Sequence, residues 1–321
     1  MELITESAGF DRLPEHLKEN SLSPSGTVQV AHSAQHYEAN YILDEREEPT
    51  PAMEEGTMIH MRFLEPEKFK ETYAIMPKLS DYPGALRTQA DLIAMCKKLE
   101  LKVGGTKPVL TARLKEAGPS LVFWDEIVAG ATAGKKVVTE KQEIGMSRIE
   151  RQIKKHPHAN GLIFGGTAEQ EIYGHFYHEL AKVHIRFRID RLYTGKSGRR
   201  IVIDLKTTTA TTLKEFQIQI YKLKLHVLAS LYVDGVKAIT GQEPLFVWVA
   251  VQSKSPFIVN TFVADTACLE AGRIEAFHAI ELWKECKKSK NWPGPDAGLI
   301  PATLPHWAWS ELEYETRSEN A

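Results

Sequence analysis

The chain has 321 residues, 43% of them hydrophobic and 26% charged, with a net charge of −2 at pH 7. This is a globular profile, long enough for one large domain and an accessory one, and it excludes disordered and fibrous classes. Three widely spaced cysteines, Cys96, Cys268 and Cys286, without a C-x-x-C pair, exclude a disulfide framework and a zinc or iron–sulfur site and fit a reducing, cytoplasmic setting. No signal-peptide pattern and no apolar run near about eighteen residues occurs, so no membrane partner is expected. With so little net charge, contact with nucleic acid has to come from local clusters of Lys and Arg.

In chain order, Ser23-Pro24-Ser25 signals a turn and a helix start, and Asp44 to Pro51 reads as a solvated acidic loop. In residues 54–69, Met58, Met61, Phe63 and Leu64 have helical spacing until Pro66 breaks it. His60 there fits either a partly buried histidine on an amphipathic helix or a metal ligand. Residues 79–118 read as a separate unit between an N-terminal portion, 1–78, and the remainder, 119–321. Thr88 to Asp91 is a capping box opening a helix with Leu92, Ile93, Cys96 and Leu99 on its apolar face. Gly104-Gly105-Thr106 restarts a helix through Leu110 and Leu114, which Gly118-Pro119 ends. This helix, extended link, helix pattern resembles SAP-like DNA-binding motifs. Seven basic residues face three acids between Ala85 and Ala117, which makes Lys97, Lys98, Lys102, Lys107 and Arg113 candidate phosphate contacts, against the alternative of a charged, solvated helical insertion.

From Leu121 to His156 the pattern is helical and takes in Val137 and Val138; a strand is expected from Glu169 to Tyr177. His156, His158, His175 and His178 reproduce no closed tetrahedral zinc spacing and read as surface histidines near a turn. A helix from Leu213 to Val233 has apolar residues nearly all round, among them Phe216, Ile220, Leu223, Leu225, Val227, Leu228 and Leu231, so burial of most of it is expected, with Asp234-Gly235 as its end. Two strands, Pro244 to Gln252 and Pro256 to Ala264, extend a sheet as a hairpin, and Asp265 caps a helix to about Lys290. The proline-rich, aromatic tail, residues 291–309, is expected to drape over the core.

The chemistry concentrates in residues 183–209. Val183, Ile185, Phe187 and Ile189 alternate with polar residues, as do Ile201, Ile203 and Leu205, so this stretch reads as a β-hairpin turning at Lys196 to Gly198. Asp190 lies on the face opposite Phe187 and Ile189, and Asp204 and Lys206 lie opposite Ile203 and Leu205. A hairpin centred near Ser197 sets the two aspartates across from each other. Two bare carboxylates about 5 Å apart repel by about 3 kcal/mol at an effective dielectric of about 20, and such a pair favours a divalent cation or a shared proton. Few protein ligands, all oxygen-rich, suit magnesium and phosphate chemistry. Asp followed by Asp-x-Lys on the next strand resembles the PD-(D/E)XK nuclease signature; on these three residues alone, a surface hairpin with a salt bridge is the alternative.

Taken with GTMIHMRFLEPEKF, YKLKLHVLASLYVDG, WPG and LPHWA, the chain resembles the exonuclease VIII (RecE-type) family over residues 20–310, apart from the insertion at 79–118. The resemblance implies an α/β fold with a PD-(D/E)XK restriction-endonuclease-like core, a mixed central sheet flanked by helices, carrying the small SAP-like insertion. It implies that His60, Asp190 and Asp204, with the carbonyl of Leu205, hold magnesium, or manganese in its place. Lys206 would orient and help deprotonate the attacking water, Glu169 would support the site, and Arg186, Arg188 and Arg191 are candidate phosphate clamps. The implied activity is 5'-to-3' exonuclease action on linear double-stranded DNA in a bacterial cell by a phage or prophage protein. A ring-shaped homo-oligomer such as a tetramer, working with a single-strand annealing protein, is implied with it. The family carries glutamine four residues before Tyr232, where this chain has Leu228; Gln217 and Tyr221 have the same spacing elsewhere.

Overall fold

The computed structural model describes residues 20–294, except 119, 166, 167 and 196, together with 299, 304, 308 and 309; the side chains of 168–171 and most of the proline-rich tail lie outside the described residues. A short strand β1 (Ser21–Leu22) leads into helices α1 (Pro24–His32), capped by the Ser23 hydroxyl, and α2 (Ala34–Tyr37), which continues as a π-helical turn to Ile42. Thr50 caps α3 (Pro51–Leu64), and Pro66 begins α4 (Pro66–Thr72). Then come β2 (Tyr73–Ile75), α5 (Gln89–Lys98), α6 (Lys107–Ala117), α7 (Trp124–Thr132), β3 (Lys136–Val138), α8 (Glu140–Lys155) and α9 (Ala159–Phe164). The second half holds β4 (Ala168–His178), β5 (Val183–Thr194), β6 (Arg200–Thr208), α10 (Leu213–Lys222), α11 (Leu225–Thr240), β7 (Leu245–Gln252), β8 (Val259–Val263) and α12 (Thr266–Ser289).

The central sheet is mixed and has helices on both faces. It runs β1-β5-β6-β7-β8, with β4 antiparallel along the other edge of β5. β1 joins β5 in parallel at His184 and Ile185, while β6 joins the same edge antiparallel at Arg191 to Thr194. Residues 186–190 therefore lie in a fork, where that edge of β5 has left β1 and not yet met β6. One face carries the larger core, in which Phe187, Val202, Phe246 and Trp248 meet Val30, Leu231, Val233 and Ile280. The other face packs Ile203, Leu205, Val249 and Val251 against Met58, Ile59, Met146 and Ile149 of α3 and α8. Val183, Ile185, Phe187 and Ile189 all enter the larger core, and so does Leu192, so the alternation of β5 slips by one residue across Asp190 and Arg191.

Three sequence expectations are corrected. Val137 and Val138 belong to β3, which pairs in parallel with β2 as a separate two-stranded sheet; three residues are too few to show a period. The helix expected over Leu213 to Val233 is two helices, α10 and α11, separated where Lys224 takes a left-handed backbone (φ 54). The second runs past Gly235 to a left-handed cap at Gly241. Gly235 is there for packing: a Cβ would lie 2.4 Å from the Phe187 ring, and a Cβ at Gly174 would lie 2.6 Å from the same ring. In the inserted unit the Thr88–Asp91 capping box forms as read, and Leu92, Cys96, Leu110 and Leu114 make a small core that Leu86 and Phe123 close.

Candidate active site

α3 delivers the first group. Met58, Ile59 and Phe63 hold it to the smaller core, and at Gly56 it approaches β6 so closely that a Cβ would stand 3.0 Å from the Thr207 hydroxyl. His60, one turn after Gly56 on the same side of the helix, meets the fork in the sheet: its Nε2 lies 3.1 Å from Asp190 Oδ2. Pro66 cannot continue the helical hydrogen bonds, so the chain breaks at Glu65, whose backbone (φ −131, ψ 59) turns its side chain inward to 7% exposure. There Glu65 Oε1 stands 3.5 Å from His60 Nδ1 and accepts from Arg188 Nη2 at 3.0 Å, while Lys68 reaches Oε2 at 2.9 Å.

The hairpin delivers the rest. Its register runs from Thr194 opposite Arg200 to Arg191 opposite Ile203, centred on Ser197; Asp190 lies just beyond the paired residues, near enough for its charge to act on Asp204. Lys206 Nζ lies 3.0 Å from Asp204 Oδ1, and Asp204 Oδ2 is buried with no hydrogen-bond partner among the described residues. Burial alone would raise the pKa of Asp190, but the hydrogen bond and charge of His60, with Arg188 and Lys206, hold it below the usual range. Burial pushes Asp204 up, and the nearby Asp190 charge adds to this against the pull of Lys206. For Lys206, desolvation is outweighed by the Asp204 and Asp190 charges, so its ammonium is held more firmly than usual. His60 likewise overcomes its burial through Asp190, Glu65 and Asp204 and titrates above its ordinary value. Tyr232, whose ring centroid is 6.3 Å from that of Phe187, is kept protonated by burial and by the two aspartate charges.

The donor set fits a hard divalent cation. His60, Glu65 and Asp190 each offer an atom within 4.8 Å of the others, and the unpartnered Asp204 oxygen is a buried acceptor awaiting a positive partner. Glu65 is the member that sequence reading missed. Its signal was a carboxylate wedged between an apolar helix end and a proline, a position where the backbone has to turn.

The other candidate residues separate. Leu205 is buried in the smaller core, its backbone paired in parallel with Val249. Glu169 pairs through its backbone with Leu192, and its side chain lies outside the described residues. Arg188 faces the site, while Arg186 donates to the hydroxyl (2.9 Å) and carbonyl (3.3 Å) of Ser21. Arg191 departs from its expected place as a clamp: it is 6% exposed and donates to the carbonyls of Leu162 (2.7 Å) and Gly165 (3.0 Å), because it lies beyond the slip in β5. Lys97, Lys98 and Lys102 are exposed. Lys107 is tied to Asp125 at 2.7 Å, and Arg113 donates to the carbonyls of Lys102 and Gly104. Leu228 packs against the larger core one turn before Tyr232, whereas Gln217 and Tyr221 are exposed. His156 and His178 accept from the amides of Ala159 and Ala181 and so cap turns.

A family model described as a PDDEXK-like domain of unknown function (DUF3799) matches residues 23–300. No curated protein matches the chain. Among solved structures, the chain resembles the crystal structure of a "putative exonuclease" from Eubacterium rectale at 14% identity, over 94% of this chain and 97% of that one, with a TM-score of 0.51; at that identity the likeness is one of fold. SSO0001, 13% identical over 78% of this chain and 97% of its own, has a TM-score of 0.26, too low to bear on the fold.

Proposed function

The chain belongs to this PDDEXK-like family, and we propose on that premise that it is a magnesium-dependent exodeoxyribonuclease that degrades linear duplex DNA from 5' ends and leaves 3' single-stranded tails. The observation that carries the reading is the pairing of a buried Asp-x-Lys with His60, Glu65 and Asp190 in the fork of the sheet. A bound magnesium, or manganese, would polarise the phosphoryl oxygen, acidify its water and stabilise the leaving oxygen. The chain's own part is then defined. His60, Glu65, Asp190 and Asp204 would hold the ion. Lys206, kept charged by the two aspartates, orients the attacking water and offsets charge on the phosphoryl group. Arg188, within 3.8 Å of Asp190, is the cation best sited for a phosphate of the cleaved strand. The RecE-type resemblance supports a place in phage-type recombination, with a ring-shaped homo-oligomer handing its 3' tail to a single-strand annealing protein.

A nuclease assay tests the activity: nucleotides are released from linear duplex with magnesium, and covalently closed circles survive. Cleavage of circles would favour an endonuclease with the same core. Binding of DNA ends without hydrolysis in magnesium or manganese would leave a DNA-binding scaffold.

The SAP-like unit, residues 79–118, is proposed to grip the duplex through Lys97, Lys98 and Lys102. Neutralising these three is expected to flatten the salt dependence of duplex binding by about 0.9 in log–log slope per lost phosphate contact and to spare hydrolysis of short substrates. An unchanged slope would make the unit a charged structural insertion. Lys107 and Arg113 are poorer probes because both hold the unit together.

A further inference from the structure

Helix α10 is the place where an apolar sequence pattern goes unburied. From Leu213 to Leu223 only Phe216 is fully buried, its ring 4.3 Å from Phe262 and stacked on it, and Gln219 and Ile220 are half-buried. Leu213 is 57% exposed, Ile218 46%, Tyr221 69% and Leu223 55%. Lys214, Gln217, Ile218, Tyr221 and Lys222 share the outward side of the helix at its 3.6-residue period. Neither Lys214 nor Lys222 has an ion-pair partner among the described residues. The one acid of the helix, Glu215, is taken up by the capping box, accepting from the amides of Thr211 and Thr212. The outward face is therefore aromatic, aliphatic and positively charged.

The inner side of the same helix adjoins the candidate catalytic strand. The Thr208 hydroxyl donates to Gln219 Oε1, and Thr208 follows Lys206 by two residues, about 7 Å along a strand. Lys224 Nζ backs the Tyr221 ring at 4.7 Å from its centroid. Aromatic side chains interleaved with lysines suit unpaired nucleotides, whose bases offer π-faces and whose backbone offers phosphates. Paired duplex hides its base faces, so an exposed tyrosine contributes less there.

Resting on the nuclease reading above, we infer that the outward face of α10 holds unpaired DNA next to the cut, with Tyr221 stacking on a base and Lys214 and Lys222 taking phosphates. The occupant follows from the charge of the face and from the attachment of the helix to β6 through Gln219, which together favour a polyanion over a second copy of this chain.

The test is binding of a fluorescein-labelled oligothymidylate of about twelve nucleotides to the full chain in EDTA, where hydrolysis cannot intervene. Tyr221→Ala is expected to weaken binding about tenfold or more, and Tyr221→Phe, which keeps the ring, to bind like the wild type. Lys214→Ala with Lys222→Ala should lower the salt slope by about 1.4, two single-strand phosphate contacts. Circular dichroism checks that each variant is folded. Equal affinity of Tyr221→Ala and wild type would overturn the inference, as would equal losses in the Ala and Phe variants. So would a sedimentation coefficient that falls in Tyr221→Ala with oligonucleotide affinity unchanged, since the face would then be a subunit contact. Wild-type protein that hydrolyses nothing with magnesium but shows the expected binding pattern would sink the nuclease reading alone; normal hydrolysis with unaltered binding in the variants would sink this inference alone.

Discussion

An Asp204→Asn variant is expected to lose magnesium-dependent nucleotide release by about a thousandfold or more while remaining, without metal, at least as stable as the wild type at pH 7. The two effects share one cause. Asp204 is 4% exposed, one of its oxygens has no partner among the described residues, and the Asp190 charge is nearby. Its folded pKa is raised above the ordinary value of 3.8. The advantage of the neutral carboxyl is then full below about 3.8 and is lost as the pH rises through the raised value, so at neutral pH the ionised group costs stability. Asparagine keeps the shape and removes that cost, but it cannot supply the charge that holds a cation. Denaturation at pH 7 and near pH 3.5 reads this directly: the gain should shrink at the lower pH, where both side chains are neutral.

Lys206→Ala is expected to give the same loss of activity with the opposite stability change, because it strips Asp204 of the ammonium paired with it at 3.0 Å. An Asp204→Asn protein markedly less stable than wild type at pH 7 would show that the aspartate serves mainly as an anchor for Lys206. Substantial nucleotide release by either variant would remove the pair from the chemistry.

Glu65→Ala should be the more damaging change to the fold. Glu65 is buried at the end of α3, and its carboxylate faces Lys68, Arg188 and His60 at 2.9, 3.0 and 3.5 Å. Removing it leaves three cationic or protonatable groups around a void. Breaking a buried ion pair from one side costs about 3–5 kcal/mol, an effect that urea denaturation resolves. Glu65→Gln keeps the acceptor and the volume and should lose less. If Glu65 also reaches the metal, both variants lose part of the stabilisation that magnesium gives the wild type, about 2.7 kcal/mol at a hundredfold excess over Kd. A Glu65→Ala protein within about 1 kcal/mol of wild type would show that its cations are satisfied by water.

The contrast between Asp204 and Glu65 shows how far local pattern reaches. A period of two along β6 is enough to put Asp204 and Lys206 on one face, because strand geometry fixes side-chain direction within a few residues, whereas bringing Asp190 to them takes the slip in β5. The capping boxes at Thr88 and Thr212 and the helix stop at Pro66 are equally local, since each depends on hydrogen bonds within one turn. Composition, free of long apolar runs and of cysteine pairs, also fixed the broad class. Glu65 is different: its role depends on Arg188, more than a hundred residues later, being folded back beside it.

Tertiary structure alone decided the rest. Whether Arg186, Arg188 and Arg191 point at a substrate depends on a slip in one strand, which arises because β5 exchanges β1 for β6 as its neighbour along one edge. Where the helix expected over 213–233 breaks decides what is buried: the left-handed turn at Lys224 sends the more apolar α11 into the core and leaves the amphipathic α10 on the surface with only Phe216 fully buried. A three-residue strand such as β3 exists only because β2 lies beside it. The sequence by itself determined the helix starts at Ser23, Thr88 and Asp265, the stop at Pro66 and the shared face of Asp204 and Lys206, through interactions spanning a few residues. Only the folded chain decided which faces meet, because that depends on packing and pairing between segments far apart in sequence.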